Sequence, residues 1–138
     1  MEWLAAGAGL VVGSWLLVLL GRRSNAADRT AGFSIRIGIA AVAAIAGCAA
    51  LMIGPWRAGL DPTTHVYPAI VCTLTIWTVL HVGVGVVMLL YLLARRWAGR
   101  LTAAYDIDMH NVVLYWHFTT FAAVVTALVV VGFPLVAR

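Results

Sequence analysis

The chain has 138 residues, of which 64% are hydrophobic and only 10% charged, and its mean hydropathy is +1.01. Soluble globular domains carry about 25% charged residues, so this composition excludes that class and indicates one polytopic membrane domain over residues 1–138. The net charge of +4 comes from nine arginines, no lysine and five acids. Because the arginines lie at the ends of apolar runs, they predict topology and lipid contacts and argue against nucleic-acid binding.

The first apolar run predicts a transmembrane helix over about residues 3–20, followed by Arg22 and Arg23. A secretory signal places its positive residues before the apolar stretch, so we expect this helix to be retained. Gly9 and Gly13 form a small-xxx-small pair, which predicts the close approach of a neighbouring helix.

A polar stretch over residues 21–34 predicts a loop, and the alanine-rich run that follows predicts a second helix over about 35–54. Small side chains let helix backbones approach closely, so we expect protein to surround this helix. Gly54 and Pro55 predict its end, because proline lacks a backbone N–H and disfavours helix in the preceding residue.

The third and fourth apolar runs predict helices over about 66–94 and 111–135. Arg95, Arg96 and Arg100 follow the third run, and we expect them to contact lipid headgroups. The first and third loops are rich in arginine, whereas the second has one arginine offset by one acid. By the positive-inside rule, the sequence predicts an all-α bundle of four transmembrane helices, with both termini outside (N-out/C-out).

The polar residues offer little chemistry. No carboxylate lies inside a predicted span, which argues against a self-contained proton pump or ion-coupled transporter. No nucleophilic, phosphate-binding or hydrolytic motif is present, so we expect no catalytic residue. Asp106, Asp108 and His110 could suggest a metal site, but capping of the fourth helix explains them better. Cys48 and Cys72 could meet in a disulfide, although packing is the commoner role of buried cysteine.

His81 and His117 lie inside predicted spans, where ionisable groups are costly and usually functional. One interpretation is a small membrane electron carrier, with a haem b held between the third and fourth helices by these two ligands. Counted from Arg95 and His110, the two histidines lie about 20 Å and about 10 Å from the cytoplasmic edge. Axial ligands of one haem need similar depths, which favours histidines hydrogen-bonded within a bundle.

The last two helices resemble a known family. The residues that carry this resemblance are His81 and Gly85 in a His-x-x-x-Gly pattern and the run Tyr115-Trp116-His117-Phe118. Together they resemble the last two helices of subunit III of haem-copper cytochrome c oxidases, including chains in which subunits I and III are fused. The similarity covers about residues 61–134. The last four helices of that subunit would also begin and end outside.

The resemblance implies an accessory subunit, without a redox centre, of an oxidase in the aerobic respiratory chain of a bacterial inner membrane. Such a subunit packs against catalytic subunit I and binds phospholipid, while haem and copper lie in partner chains. Subunit II and cytochrome c are the other expected partners. The residues that carry the resemblance would then pack against subunit I or lipid.

The sequence departs from the family at Thr120, where an aspartate is typical, and in having no glutamate within a span. The resemblance at these positions therefore leaves open whether this chain has the proton-related or lipid-related role of those family acids. A stand-alone oxidase assembly factor is a further alternative.

Overall fold

The computed structural model describes residues 2–136, with side chains from residue 2 to residue 132. It consists of four helices in chain order: α1 (Glu2–Ala26), α2 (Thr30–Arg57), α3 (Val66–Trp97) and α4 (Ile107–Val136). Each contains a stretch long and apolar enough to cross a membrane. The all-α prediction of four membrane-spanning helices is therefore confirmed, while the orientation of the bundle stays a prediction.

The helices are longer than their apolar runs. α1 continues to Ala26 and α2 begins at Thr30, so the loop predicted over 21–34 shortens to residues 27–29. The predicted stop at Gly54 is wrong as well, because Pro55 lies inside α2, which ends at Arg57. Hydropathy reports where a helix crosses hydrocarbon, whereas polar residues beyond that layer continue the helix into water and headgroups.

All three helix connections use a residue with positive φ, namely Asp28 (53°), Gly59 (67°) and Gly99 (68°). At the end of α2, the N–H of Leu60 donates to the carbonyl of Pro55 at 3.1 Å, which closes the turn as in a Schellman motif. Glycine adopts this conformation without steric cost, but an aspartate does not. The positive φ of Asp28 therefore costs free energy, and the hydrogen bond that its carboxylate accepts from Arg96 offsets this cost.

The helices form a ring in which each packs against the next and α4 returns to α1. The closest approach is between α1 and α2. A methyl group on Gly7 would lie 2.7 Å from Leu51 Cγ and 3.0 Å from the carbonyl oxygen of Gly47. In the same interface the Ser14 hydroxyl donates to the carbonyl of Ala40 at 2.8 Å. Small residues thus let the two backbones approach, as in other membrane helix pairs.

The glycines predicted to make this contact face elsewhere. A methyl group on Gly9 or Gly13 would meet nothing within 4 Å, so that prediction is not met by any helix in the described part of the chain. The expectation that protein surrounds α2 is not met within this chain either. One side of α2 packs on α1 and α3, whereas the other exposes Ile39, Val42 and Ile45. Exposed apolar side chains of this kind suit contact with lipid or with another membrane protein.

Candidate functional site

The α3–α4 hairpin brings together the residues that carry the family resemblance. The indole of Trp116 is fully buried and packs directly on Gly85. A methyl group on Gly85 would lie 3.1 Å from Trp116 Cζ2 and 3.5 Å from Tyr115 Cε1, so any larger residue would require the indole to shift by a few tenths of an ångström. The Tyr115 hydroxyl donates to the main-chain carbonyl of His81 at 2.9 Å. These four residues therefore form one interhelical contact.

His81 has a defined tautomer. Its Nδ1 lies 2.8 Å from the carbonyl oxygen of Trp77, and because a carbonyl only accepts, Nδ1 carries the proton. In the neutral ring Nε2 therefore keeps its lone pair, and it has no partner among the described residues. The ring is half-buried and contacts the rings of Trp77 and Phe118, with centroids 4.5 Å and 5.9 Å apart.

His117 repeats this arrangement on another side of α4. Its Nδ1 donates to the carbonyl of Val113 at 2.6 Å, which again leaves Nε2 as the unprotonated nitrogen. The imidazole is exposed, and Trp15 of α1 contacts it edge-on, with ring centroids 5.5 Å apart. The side chain of His117 therefore faces α1, whereas that of Phe118 faces α3.

The predicted difference in depth between His81 and His117 is wrong. Tyr115 and Phe118 lie on either side of His117 in the chain, and both contact His81, at 2.9 Å through the hydroxyl and 5.9 Å between rings. The two helix ends used for counting are not level. The apolar part of α4 begins beside Met88, well before α3 ends, because α3 projects further at this end of the bundle.

Similar depth does not bring the two imidazoles together. α4 packs on α1 and α3 with different sides, and His117 lies against Trp15 of α1 while His81 lies on α3 against Phe118. Two axial ligands of one haem must face each other across the iron. A haem between α3 and α4 with both histidines as ligands therefore does not fit this arrangement.

Arg96 is buried at the end of α3 and makes its contacts within the chain. Its exposed fraction is 6%. The guanidinium donates to Asn25 Oδ1 (3.1 Å), the Leu101 carbonyl (2.9 Å), Asp28 Oδ1 (2.7 Å) and Thr30 Oγ1 (2.8 Å). We call these five residues the Arg96 network. It joins the α1–α2 turn, the end of α3 and the segment after it.

This placement differs from the expected headgroup contact. A buried guanidinium needs hydrogen-bond partners, and protein groups accept from both of its terminal nitrogens here. Arg95 faces the side of the bundle instead, where Nη2 lies 2.9 Å from Asp108 Oδ2 in an ion pair that lacks hydrogen-bond alignment. Arg100 is exposed. Of the three arginines, Arg100 is the one left free to meet lipid headgroups as predicted.

Other groups considered from the sequence also have definite positions. Within the side chains that the structure describes, no three His, Cys, Asp or Glu residues lie close enough to share a metal. Cys48 and Cys72 are both free thiols. Thr120, which stands where the family typically has aspartate, is buried, and its hydroxyl has no partner among the described residues. It faces the interior of the bundle, away from lipid.

Sequence reasoning missed the Arg96 network. The only signal was the run Ser24 to Thr30, whose polar side chains looked like an ordinary solvated loop.

No protein-family model matches this sequence, and no curated protein matches it.

Proposed function

We propose that this chain is an accessory, subunit III-like component of a haem-copper cytochrome c oxidase. In this role it stabilises catalytic subunit I and binds phospholipid, while haem and copper in partner chains reduce oxygen to water and pump protons. The proposal places it in a bacterial inner membrane, within an aerobic respiratory chain that also contains subunit II and cytochrome c. Both termini would lie outside.

The observation that carries the proposal is the contact between Gly85 and Trp116. The family resemblance rests on a short motif, and this motif forms one packed unit, with Tyr115 bonded to the main chain of His81. All four residues bury or bridge surface between α3 and α4. A scaffold role uses such residues for shape, whereas a redox role would need ligands directed at a common centre.

The outward face of the hairpin provides a docking surface for a partner. Trp77 and Phe118 are 60% and 56% exposed, and His81 lies between them. Its Nε2 acceptor lies within a span, where an unsatisfied polar group costs several kcal/mol in hydrocarbon. A partner helix that donates a hydrogen bond to Nε2 and packs on the two rings would remove this cost. We place the contact with subunit I on this face.

The test is purification of the tagged chain from its native membranes in a mild detergent. The expected result is stoichiometric recovery of a large haem-copper polypeptide. His81→Gln and His117→Gln should lower this recovery while the haem spectrum of the complex that remains is unchanged. Val42→Ala, on the exposed side of α2, is the matched control and should leave recovery unchanged.

Two outcomes would redirect the proposal. The Nε2 atoms of both histidines have no partner among the described residues, which favours a second candidate, a small haem b electron carrier with His81 or His117 as a ligand. A reduced haem band retained by this polypeptide alone would support that candidate. Recovery of an oxidase at far below one copy per chain would support a stand-alone assembly factor instead.

A further inference from the structure

Two arginines lie on one face of α2, at the end of the bundle that contains the Arg96 network. Arg29 immediately precedes α2 and Arg36 follows two turns later, so at 3.6 residues per turn they share a face, about 10 Å apart along the axis. Gly32 lies between them, where a methyl group would be 3.6 Å from Ser24 Oγ and 3.9 Å from Arg29 Cβ. Because glycine has no side chain, the backbone between the two arginines stays open to an approaching group.

Arg36 is held in place across the α1–α2 interface and still has donors to offer. Its Nη1 donates to the Ser24 hydroxyl oxygen and, at 3.3 Å, to the main-chain carbonyl of Leu20, both on α1. Its Nε and Nη2 make no hydrogen bond within the described part of the chain and remain accessible at the half-buried side chain. Neither ion pair among the described residues includes it. Arg36 is therefore an ordered cation with free donors.

The charge around these two arginines selects an anion. Residues 22–36 contain one acid, Asp28, and four arginines, namely Arg22, Arg23, Arg29 and Arg36. The Asp28 carboxylate lies 2.7 Å from Nη2 of Arg96, so it is already paired with a cation from outside this segment. Clustered arginines at the end of a membrane helix attract the phosphate groups of anionic lipids.

The surface beside Arg36 is apolar. Leu20 of α1 and Ile35 and Ile39 of α2 are exposed next to it, and both helices are long and apolar enough to cross a membrane. Arg36 therefore lies at the border between the lipid-facing apolar surface and the positively charged end of the bundle. A ligand that matches both parts has an anionic head joined to an apolar chain.

We propose that this surface binds an anionic phospholipid. Its phosphate lies over Gly32 and accepts hydrogen bonds from the guanidinium groups of Arg29 and Arg36, while an acyl chain packs along Leu20 and Ile39. A zwitterionic lipid fits less well, because its ammonium group would meet the positive charge of the same segment. The inference rests on the phospholipid binding of the proposed function and gives it a location and a lipid class, but it requires no oxidase partner.

The test is a lipid titration of the purified full chain in detergent, followed by native mass spectrometry. Dioleoylphosphatidylglycerol and dioleoylphosphatidylcholine are added in separate arms, and the dissociation constant of the first bound lipid is measured for each. The two lipids have the same acyl chains and differ in net charge. The anionic lipid should bind about ten-fold more tightly, since each arginine near an anionic lipid contributes about a five-fold factor.

Substitutions of single arginines locate the site. Arg29→Gln and Arg36→Gln should each weaken binding of the anionic lipid about five-fold. Arg29→Gln should leave the fold unchanged, because the exposed Arg29 side chain makes no capping hydrogen bond to α2. Arg100→Gln is the matched control: it removes the same charge from an exposed arginine that follows α3 at the same end of the bundle, and it should weaken binding less than about two-fold.

Three outcomes would overturn the proposal. The two lipids bind equally well, or Arg29→Gln and Arg36→Gln both leave binding unchanged, or Arg100→Gln weakens it as much as they do, since overall charge would then explain the attraction. Circular dichroism of each variant establishes that the helices are intact before lipid binding is compared. The titration uses the isolated chain, so its failure would leave the co-purification of an oxidase, which tests the proposed function, unaffected.

Discussion

Replacing Arg96 with methionine tests how this bundle is held together at the end where α1 turns into α2. Methionine retains much of the apolar stem but removes all four hydrogen bonds of the guanidinium. Two of the abandoned acceptors, Asn25 Oδ1 and the Leu101 carbonyl, belong to residues that are 1% exposed. Each buried acceptor left without a donor costs about 1–3 kcal/mol.

The ion pair itself contributes less. The side chain of Asp28 is 72% exposed, so its carboxylate returns to water when Arg96 is removed, and exposed pairs contribute about 0–1 kcal/mol. Arg96→Met should therefore lower the free energy of unfolding by about 2–6 kcal/mol, which is the cost of leaving the two buried acceptors without a donor. Asp28→Asn should lower it by about 1 kcal/mol or less, because asparagine tolerates the positive φ at this position.

The assay is SDS titration of the purified chain in mixed micelles, followed by far-ultraviolet circular dichroism. Arg100→Met is the control, because Arg100 is exposed on the same turn and its loss should change stability by less than about 0.5 kcal/mol. A loss below about 1 kcal/mol for Arg96→Met would refute the argument. So would equal losses for Arg96→Met and Asp28→Asn, since the exposed charge would then matter more than the buried acceptors.

The same assay tests the helix contacts. Gly7→Ala should cost about 1–3 kcal/mol because the new methyl group overlaps α2, whereas Gly9→Ala should be neutral or slightly stabilising. Tyr115→Phe removes the hydroxyl donated to α3 and should cost about 1 kcal/mol. Thr63→Val should move the pKa of Asp61 part of the way back up, as followed by NMR titration. Because the folded pKa is lowered, the stabilisation from this turn is present above the ordinary carboxyl pKa and disappears as pH falls through the lowered value.

Hydropathy predicted the number and class of the helices because each apolar run must find a hydrogen-bonded structure in lipid, and a helix provides it. The same signal could not predict helix ends, since α1 continues through polar residues to Ala26 and α2 already begins among polar residues at Thr30. The spacing of the glycines in α1 predicted a close helix contact but not which face of α1 makes it. Gly7 packs on α2 while Gly9 does not, and this difference depends on which side of α1 meets its neighbour.

Two features of the candidate site needed three-dimensional information. Whether His81 and His117 lie at the same depth in the bundle depends on how far α3 projects beyond α4. Counting residues along one helix does not give that distance. The burial of Arg96 depends on partners from residues 25 to 101, and a terminal arginine in isolation resembles its exposed neighbour Arg100. In both cases the sequence contained the right residues, and the relation between helices decided their role.

The end of the bundle where α3 meets α4 is fastened in a way that bears on the proposed function. At this end the Arg96 network and the Arg95–Asp108 pair fasten the end of α3 and the start of α4. The α3–α4 hairpin is therefore held in place before any partner arrives, so docking on its outward face would require little ordering, which is a large cost of association.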